Sequence, residues 1–330
     1  MRSTVMRRRE FIMLAAGAAA YPLSASAQGN VRRIGVLAGG RAGDPESQAS
    51  YQKVIQRLGE LGWEQGRNIH IEYRWWGGDR NLADTLAAEL VESRPDVLLA
   101  ISTPSVDALK RRAPSLPIIF TVVADPVGAG FVQGLGKPGG NITGFTTFEP
   151  EMAGKWLQLL KQAAPAIRRV AAVFNPRTAP MILMPSVEAA IPAVKLQLVP
   201  APAHDAAELE QAISRFAAEP DGGLLIFPDA FPIVHRRLIL DLAAAHRLPA
   251  MYPFPFFVTD GGLMSYGVSI SHLAGRSADY VDRVLRGARP ADLPVQQPNE
   301  FQFLLNLKTA NALGLSLPPT LVAQADQIVE

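Results

Sequence analysis

The sequence predicts an α/β protein built from two doubly wound (Rossmann-like) lobes joined by a three-crossing hinge. Three observations carry this. Short apolar runs alternate with helical patterns along the chain, the order of strand and helix that builds parallel sheets. Landmarks also recur in one order on both sides of Pro138–Thr147: Arg32-Arg33 before Ile34–Leu37 and Arg168-Arg169 before Val170–Phe174; Pro95-Asp96 before Val97–Ile101 and Pro220-Asp221 before Gly222–Phe227; Leu116-Pro117 before Ile118–Phe120 and Leu248-Pro249 before Ala250–Tyr252. Finally, Gly- and Pro-rich stretches separate the repeating parts at Pro138–Thr147, Gly261–Gly267 and Leu293–Pro298, three places for the chain to cross between lobes. A chain of 330 residues accommodates two lobes of ordinary domain size.

In chain order, Ile34–Ala38 is the first strand, and Tyr51, Val54, Ile55, Leu58 and Leu61 mark one face of a helix that Gly62 ends. Asn68–Arg74 alternates as a second strand. Asn81 is expected to cap the helix of Leu82, Leu86, Leu90 and Val91. Val97–Ile101 is continuously apolar, as a strand buried on both faces must be. Ser102-Thr103-Pro104 then opens a helix, with proline in its first turn, and Ile118–Val123 is the next strand. The second half repeats the plan with strands at Val170–Phe174, Leu196–Val199, Leu224–Phe227 and Ala250–Tyr252 and a helix over Ala206–Phe216. The helix His272–Gly287 is expected to return to the first lobe, and Phe301–Leu305 to be a strand of the second. The expected division is residues 1–27 as a leader, 31–143 with 265–292 as lobe one, and 144–262 with 300–330 as lobe two.

The leader is a signal peptide of twin-arginine type. Arg7-Arg8-Arg9 precedes a short apolar run, Phe11–Ala20, and Ala25-Ser26-Ala27 is a small-x-small site for cleavage after Ala27. That run is far short of the roughly 20 residues of a membrane span, so an exported, periplasmic protein without stable membrane insertion is expected. The leader holds a net charge of +3 against +2 for the whole chain, which leaves the remainder near −1 and gives no electrostatic support for a nucleic-acid partner. There is no cysteine, which excludes disulfides, thiolate metal sites, cysteine nucleophiles and a lipid-modified cysteine at the cleavage site.

Ligands of open α/β sheets bind beyond the carboxyl ends of the strands. Here those places hold Gly40 and Arg41, Ser102 and Thr103, Asp125, Asn175, Asp229 and Tyr252, with Tyr266 in the second crossing. The residue types suit a small zwitterion. The hydroxyls of Ser102 and Thr103 and the N–H groups of a helix start can bind a carboxylate, helped by Arg41. Asp125 or Asp229 can take an ammonium group, and Tyr252 and Tyr266 can supply apolar walls. Each residue also has a plain structural reading: Ser102 and Asp229 as helix caps, Asp125 as a turn former, Arg41 as a solvated charge and Tyr252 as core. The argument rests on their joint placement.

Enzyme signatures are missing. The sequence has neither a G-x-S-x-G elbow nor a phosphate-binding G-x-x-x-x-G-K-[ST] loop, and the five histidines are scattered without metal-ligand spacing. No cofactor, metal or catalytic residue is expected.

From Arg32 to its end the chain resembles the substrate-binding proteins of ABC transporters with the type I periplasmic-binding fold, in the branch that includes tryptophan and phenylalanine binders. The resemblance is carried by Arg33–Leu37, Gly62-Trp63 with Asn68 and Ile71–Arg74, Asp125-Pro126-Val127 before Pro138–Gly144, Gly261–Gly267, Ala291–Pro298, Asn306–Ala310 and Leu313-Gly314-Leu315. It implies a receptor that closes two lobes over a small molecule, with an aromatic or branched amino acid or a related carboxylate as ligand. It also implies an ABC permease in the inner membrane as partner, and a monomer. Many such binders are lipid-anchored, and a leader without cysteine departs from that pattern. The alternatives are a ligand sensor serving a signalling receptor, and an exported hydrolase or isomerase on the same fold.

Overall fold

The computed structural model describes residues 31–149, 151–179 and 181–330, so the expected leader lies outside the described residues. The first sheet contains β1 (Arg32–Ala38), β2 (Ile69–Trp75), β3 (Val97–Ile101), β4 (Ile118–Val123) and β5 (Ile142–Thr146) in the order β2-β1-β3-β4-β5. All of its strand pairs are parallel. Helices α1 (Pro45–Glu60), α2 (Arg80–Glu92) and α3 (Thr103–Arg112) connect its strands.

The second sheet begins with the same plan. After α4 (Met152–Ala163) come β6 (Arg169–Phe174), α5 (Leu183–Val194), β7 (Gln197–Pro202), α6 (Ala206–Ala217), β8 (Gly222–Ile226), α7 (Ala230–Val234), α8 (Arg236–Ala245), β9 (Ala250–Tyr252), α9 (Pro255–Thr259) and β10 (Met264–Gly267). The order β7-β6-β8-β9-β10 repeats that of the first sheet, as the recurring landmarks predict. Beyond it, α10 (Ile270–Leu285) leads to β11 (Gln302–Asn306), which joins the sheet antiparallel to β10. Then α11 (Leu307–Ala312) and α12 (Pro319–Val322) precede the last strand, β12 (Gln327–Val329).

Local chemistry explains the elements. Asp44 caps α1 by accepting the N–H groups of Glu46 and Ser47, and Leu58 and Val54 bury one face of that helix. The cap of α2 is Asp79, which accepts from Asn81 and Leu82, so the cap expected at Asn81 lies two residues earlier. Strand β3 is buried at every position, as its unbroken apolar run requires. Helix α10 packs on α1, as expected of a helix returning to the first lobe: Arg57 pairs with Asp279, and Trp63 Nε1 donates to Asp282 at 2.8 Å.

Two expected crossings prove to be strands. Ile142–Thr146 is β5, paired to β4, so the boundary expected between residues 143 and 144 falls inside a strand of the first sheet. Met264–Gly267 is β10 of the second sheet, and the chain leaves that lobe only after Gly267. Glycine made both look like loops. At Gly144 it answers a close backbone approach instead, since a Cβ there would lie 2.1 Å from the Phe120 carbonyl oxygen. The third crossing runs beside β5: Gln296 N–H donates to Gly144 O, Thr146 N–H donates to Gln296 O, and Thr143 Oγ1 donates to Leu293 O at 2.6 Å.

Candidate functional site

In both sheets the strand order reverses beside the first strand of the lobe, between β1 and β3 and between β6 and β8. Such switch points are where α/β sheets bind ligands. In the first lobe they place Gly39, Gly40 and Ser102 together, tied by a hydrogen bond from Gly39 N–H to Ile101 O at 3.2 Å. In the second they place Asn175 after β6 and Asp229 after β8. Ser102 and Asp229 thus hold corresponding positions, each capping the helix that follows the third strand of its lobe.

The two switch points meet in a closed cleft holding two adjoining cavities that share Ser102, Val122 and Ala230. The first is narrow, with a volume of about 40 Å³. Its lining is mainly from the first lobe, including Gly40, Tyr73, Trp75 and Ile101, and Ala230 and Ile233 of α7 close it from the second. The other is smaller, about 10 Å³, and more polar, with Thr103, Thr147, Thr178 and Asp229 on its wall. A Cβ at Gly39 would stand 3.1 Å from that of Ala230, so glycine lets the lobes approach here.

The backbone is strained at this junction. Ser102 has φ 117° and ψ 157°, a region otherwise left to glycine, and β-branched Val122 has φ 59° at the irregularity where β4 meets β5. Such conformations cost about 1–3 kcal/mol each and persist where surrounding bonds impose them. Around Ser102 these are its N–H to Thr121 O at 3.0 Å and an Oγ contact of 3.0 Å with Ser105, whose hydroxyl also receives Trp76 Nε1 at 2.8 Å.

Asp229 is the buried charge of the site. Its Oδ1 accepts the Ala230 N–H at 2.7 Å and its Oδ2 accepts the Thr178 hydroxyl. Burial nevertheless pushes its carboxyl up to about 6, with those hydrogen bonds and Arg80 pulling the other way. Glu46, on the wall of the first cavity, is likewise raised by burial, although it accepts the Ser271 N–H at 3.0 Å. Two polar bonds cross between the lobes near the cleft. Arg236 at the start of α8 donates to Asp44 at 2.8 Å, and Arg80 of α2 donates to the Arg177 carbonyl at 3.0 Å. Among the described residues no group of acidic and histidine side chains is arranged to hold a metal ion.

A family model described as ABC transporter substrate binding protein matches residues 43–329. The chain belongs to the ABC transporter substrate-binding protein family. Such a protein implies a small-molecule ligand and a permease partner, and the matched relatives are binding proteins rather than enzymes. One relative, called a tyrosine-binding protein, from Clostridioides difficile strain R20291, is 27% identical over 82% of this chain and 78% of its own. A conserved domain protein from Vibrio cholerae O1 biovar El Tor is 27% identical, with a TM-score of 0.84 over 90% of this chain and 99% of that one. An ABC domain from Streptococcus pneumoniae in complex with L-Trp shares the fold, with a TM-score of 0.83 at 24% identity, over 90% of this chain and 99% of that one. No helix among the described residues is long and apolar enough to cross a membrane.

The sequence-predicted residues of this substrate-binding protein divide. Gly40, Ser102, Thr103 and Asp229 line the cleft cavities. Arg41 and Asn175 stand on cleft loops without lining either cavity, and Asn175 serves its own loop by accepting the Arg177 N–H at 2.9 Å. Asp125 closes a turn on the Gly128 N–H at 2.7 Å and lines a separate pocket with Gln297. Tyr252 is 1% exposed and stacks on Phe257 within the second lobe, because its side chain points into the core at the last residue of β9. Tyr266 stacks on Phe301 beside the crossings, away from both cavities.

Sequence reading missed Glu46, Tyr73, Trp75, Thr147 and Thr178. The alternation of β2 carried a signal, since Tyr73 and Trp75 share one face of that strand. Thr147 was hidden inside an apparent crossing.

Proposed function

We propose that this protein is the exported receptor of an ABC importer, working in the periplasm and closing its lobes over an amino acid or a closely related small zwitterion. The observation that carries this reading is the pairing of Ser102 and Thr103 with Asp229 around one small buried cavity. Ser102 caps and Thr103 begins a ten-residue helix, and their hydroxyls with the Thr103 N–H suit a carboxylate. Asp229 supplies the matching anion for an ammonium group. Its burial disfavours the empty, ionised state, so a bound cation restores what desolvation takes away. The adjoining, more apolar cavity takes the side chain. Relatives named for tyrosine binding and solved with L-Trp add support, and the sequence-predicted leader supports export.

Closure follows from contacts to both lobes, because a ligand shifts the open–closed balance only by its differential affinity for the two states. The test is native mass spectrometry of the protein as purified, followed by calorimetric titration with single amino acids. A co-purifying amino acid, or saturable binding abolished in Asp229→Ala, is the expected result. Saturable binding that is unchanged in Asp229→Ala removes Asp229 from the site, and binding of sugars or inorganic anions alone overturns the ligand class.

A further inference from the structure

The first cavity is not uniformly apolar. Tyr73 and Trp75, stacked at 4.4 Å on the edge strand β2, both line it. The Tyr73 hydroxyl and the Trp75 indole N–H are each buried with no hydrogen-bond partner among the described residues. A buried donor without an acceptor costs about 1–3 kcal/mol, and two side by side on one cavity wall call for an occupant that satisfies them. The rest of that wall restricts the occupant. Ile101, Val122, Ile233 and Ile270 require an apolar stem. Two carboxylates, Asp44 and Glu46, also line the cavity. Asp44 is committed to Arg236 and to its helix cap, whereas Glu46 is opposed by burial and is held by Ser271 alone, through its N–H and its hydroxyl. An anionic tail would meet Glu46 unfavourably. A hydroxyl fits all three groups, since it can accept from Tyr73 and Trp75 and donate to Glu46.

We infer that the ligand carries a neutral hydroxyl oxygen at the far end of an apolar side chain, recognised by Tyr73 and Trp75 with Glu46 as acceptor. This rests on the reading of the cleft as an amino-acid site and adds which amino acids it takes. A site built to hydrogen-bond a substrate hydroxyl rejects the analogue lacking it far more strongly than an apolar pocket rejects a change in size.

The experiment titrates matched pairs into the wild-type protein and the Tyr73→Phe and Trp75→Phe variants: L-tyrosine with L-phenylalanine, L-hydroxynorvaline with L-norvaline, and hydroxyphenylpropionate with phenylpropionate. In wild type the hydroxylated member of a pair is expected to bind at least about tenfold tighter. Each variant is expected to shrink that ratio, with the larger loss falling on the hydroxylated member, whereas a general loss of structure would weaken both members together and leave the ratio as it was. Equal binding within every pair, or an unchanged ratio in both variants, overturns the inference and leaves the amino-acid reading standing. Binding of the propionates alone overturns the amino-acid reading, and their ratio then decides the inference. Failure of all six compounds at about 1 mM overturns the inference, while the titrations with other single amino acids decide the amino-acid reading separately.

Discussion

Arg236 of the second lobe reaches across the cleft to Asp44 of the first, Nη2 to Oδ2 at 2.8 Å, with both side chains largely buried at 13% and 19% exposure. The guanidinium is held from behind by Asp260 at 2.5 Å and lies 5.0 Å over the Phe256 ring, so it is already aimed before the lobes meet. Asp44 has two tasks, since its other oxygen caps α1. Asp44→Asn separates them: asparagine caps as well as aspartate but cannot form the ion pair. The folded protein is expected to keep its stability within about 1 kcal/mol in the absence of ligand, because an open lobe lacks the pair anyway. Ligand affinity is expected to fall about tenfold or more, chiefly through faster release. Small-angle scattering at half-saturating ligand checks this, with a larger radius of gyration for the variant than for wild type.

Asp229 makes stability depend on pH in an unusual direction. Its folded value of about 6 lies above the ordinary 3.8, so between those limits the folded state binds more protons than the unfolded one. Stability without ligand should therefore fall as pH rises from about 4 to about 6, by about 2–3 kcal/mol from this group. Asp229→Asn keeps the cap and the Thr178 contact, and it should remove that slope and raise stability at pH 7 by about 1–3 kcal/mol. The same variant should lose ligand binding, and wild-type affinity should weaken as pH drops below about 6. Urea denaturation between pH 4 and 7, with and without ligand, reads both effects.

How much of this was legible in the sequence follows from which forces are local. Strands such as Val97–Ile101 and Ile118–Val123 stand where their apolar runs put them, because burial on both faces leaves the first no polar position and the second only Thr121. The duplicated plan of the two lobes was legible from repeated strand starts. Gly144 and Gly267 misled, since a glycine chosen for a backbone approach from another strand looks the same in sequence as one chosen for a turn. Among the residues that line the cleft cavities, Ser102, Thr103 and Asp229 were legible because switch-point loops follow strand ends. Tyr252 follows a strand end too, yet it faces the core, and side-chain direction at a strand's last residue depends on a register that sequence does not print. Arg236 and Asp44 lie 192 residues apart, and nothing local links them.

Ser102 sets stability against function. At φ 117° it occupies backbone space suited to glycine. Ser102→Gly should relieve strain of about 1–3 kcal/mol, and glycine at an N-cap gives back only a few tenths. The variant should therefore melt higher than wild type without ligand. It should also bind ligand more weakly, about tenfold, because the hydroxyl at the junction of the two cavities is gone. Paired melting curves with and without ligand test both halves. A variant that melts lower in the absence of ligand would mean that the Ser105 contact outweighs the strain.

The last prediction concerns β5. Gly144 sits mid-strand in β5 opposite Phe120, and an added Cβ would lie 2.1 Å from the Phe120 carbonyl oxygen and 2.6 Å from its nitrogen. Both obstacles are backbone of Phe120, itself fully buried within β4, so neither can swing aside as a side chain would. The same segment accepts Gln296 N–H at Gly144 O and sends Thr146 N–H to Gln296 O, so displacing β5 also displaces the third crossing. Gly144→Ala should therefore cost about 2–4 kcal/mol, more than an ordinary glycine-to-alanine change. It should also weaken ligand binding, although Gly144 lines neither cavity, because β5 leads directly into Thr147 on the wall of the smaller one. Gly140→Ala, with open space around its Cβ, is the control and should change neither stability nor affinity measurably. Equal stability for the two variants in chemical denaturation would mean that β4 and β5 can part without loss.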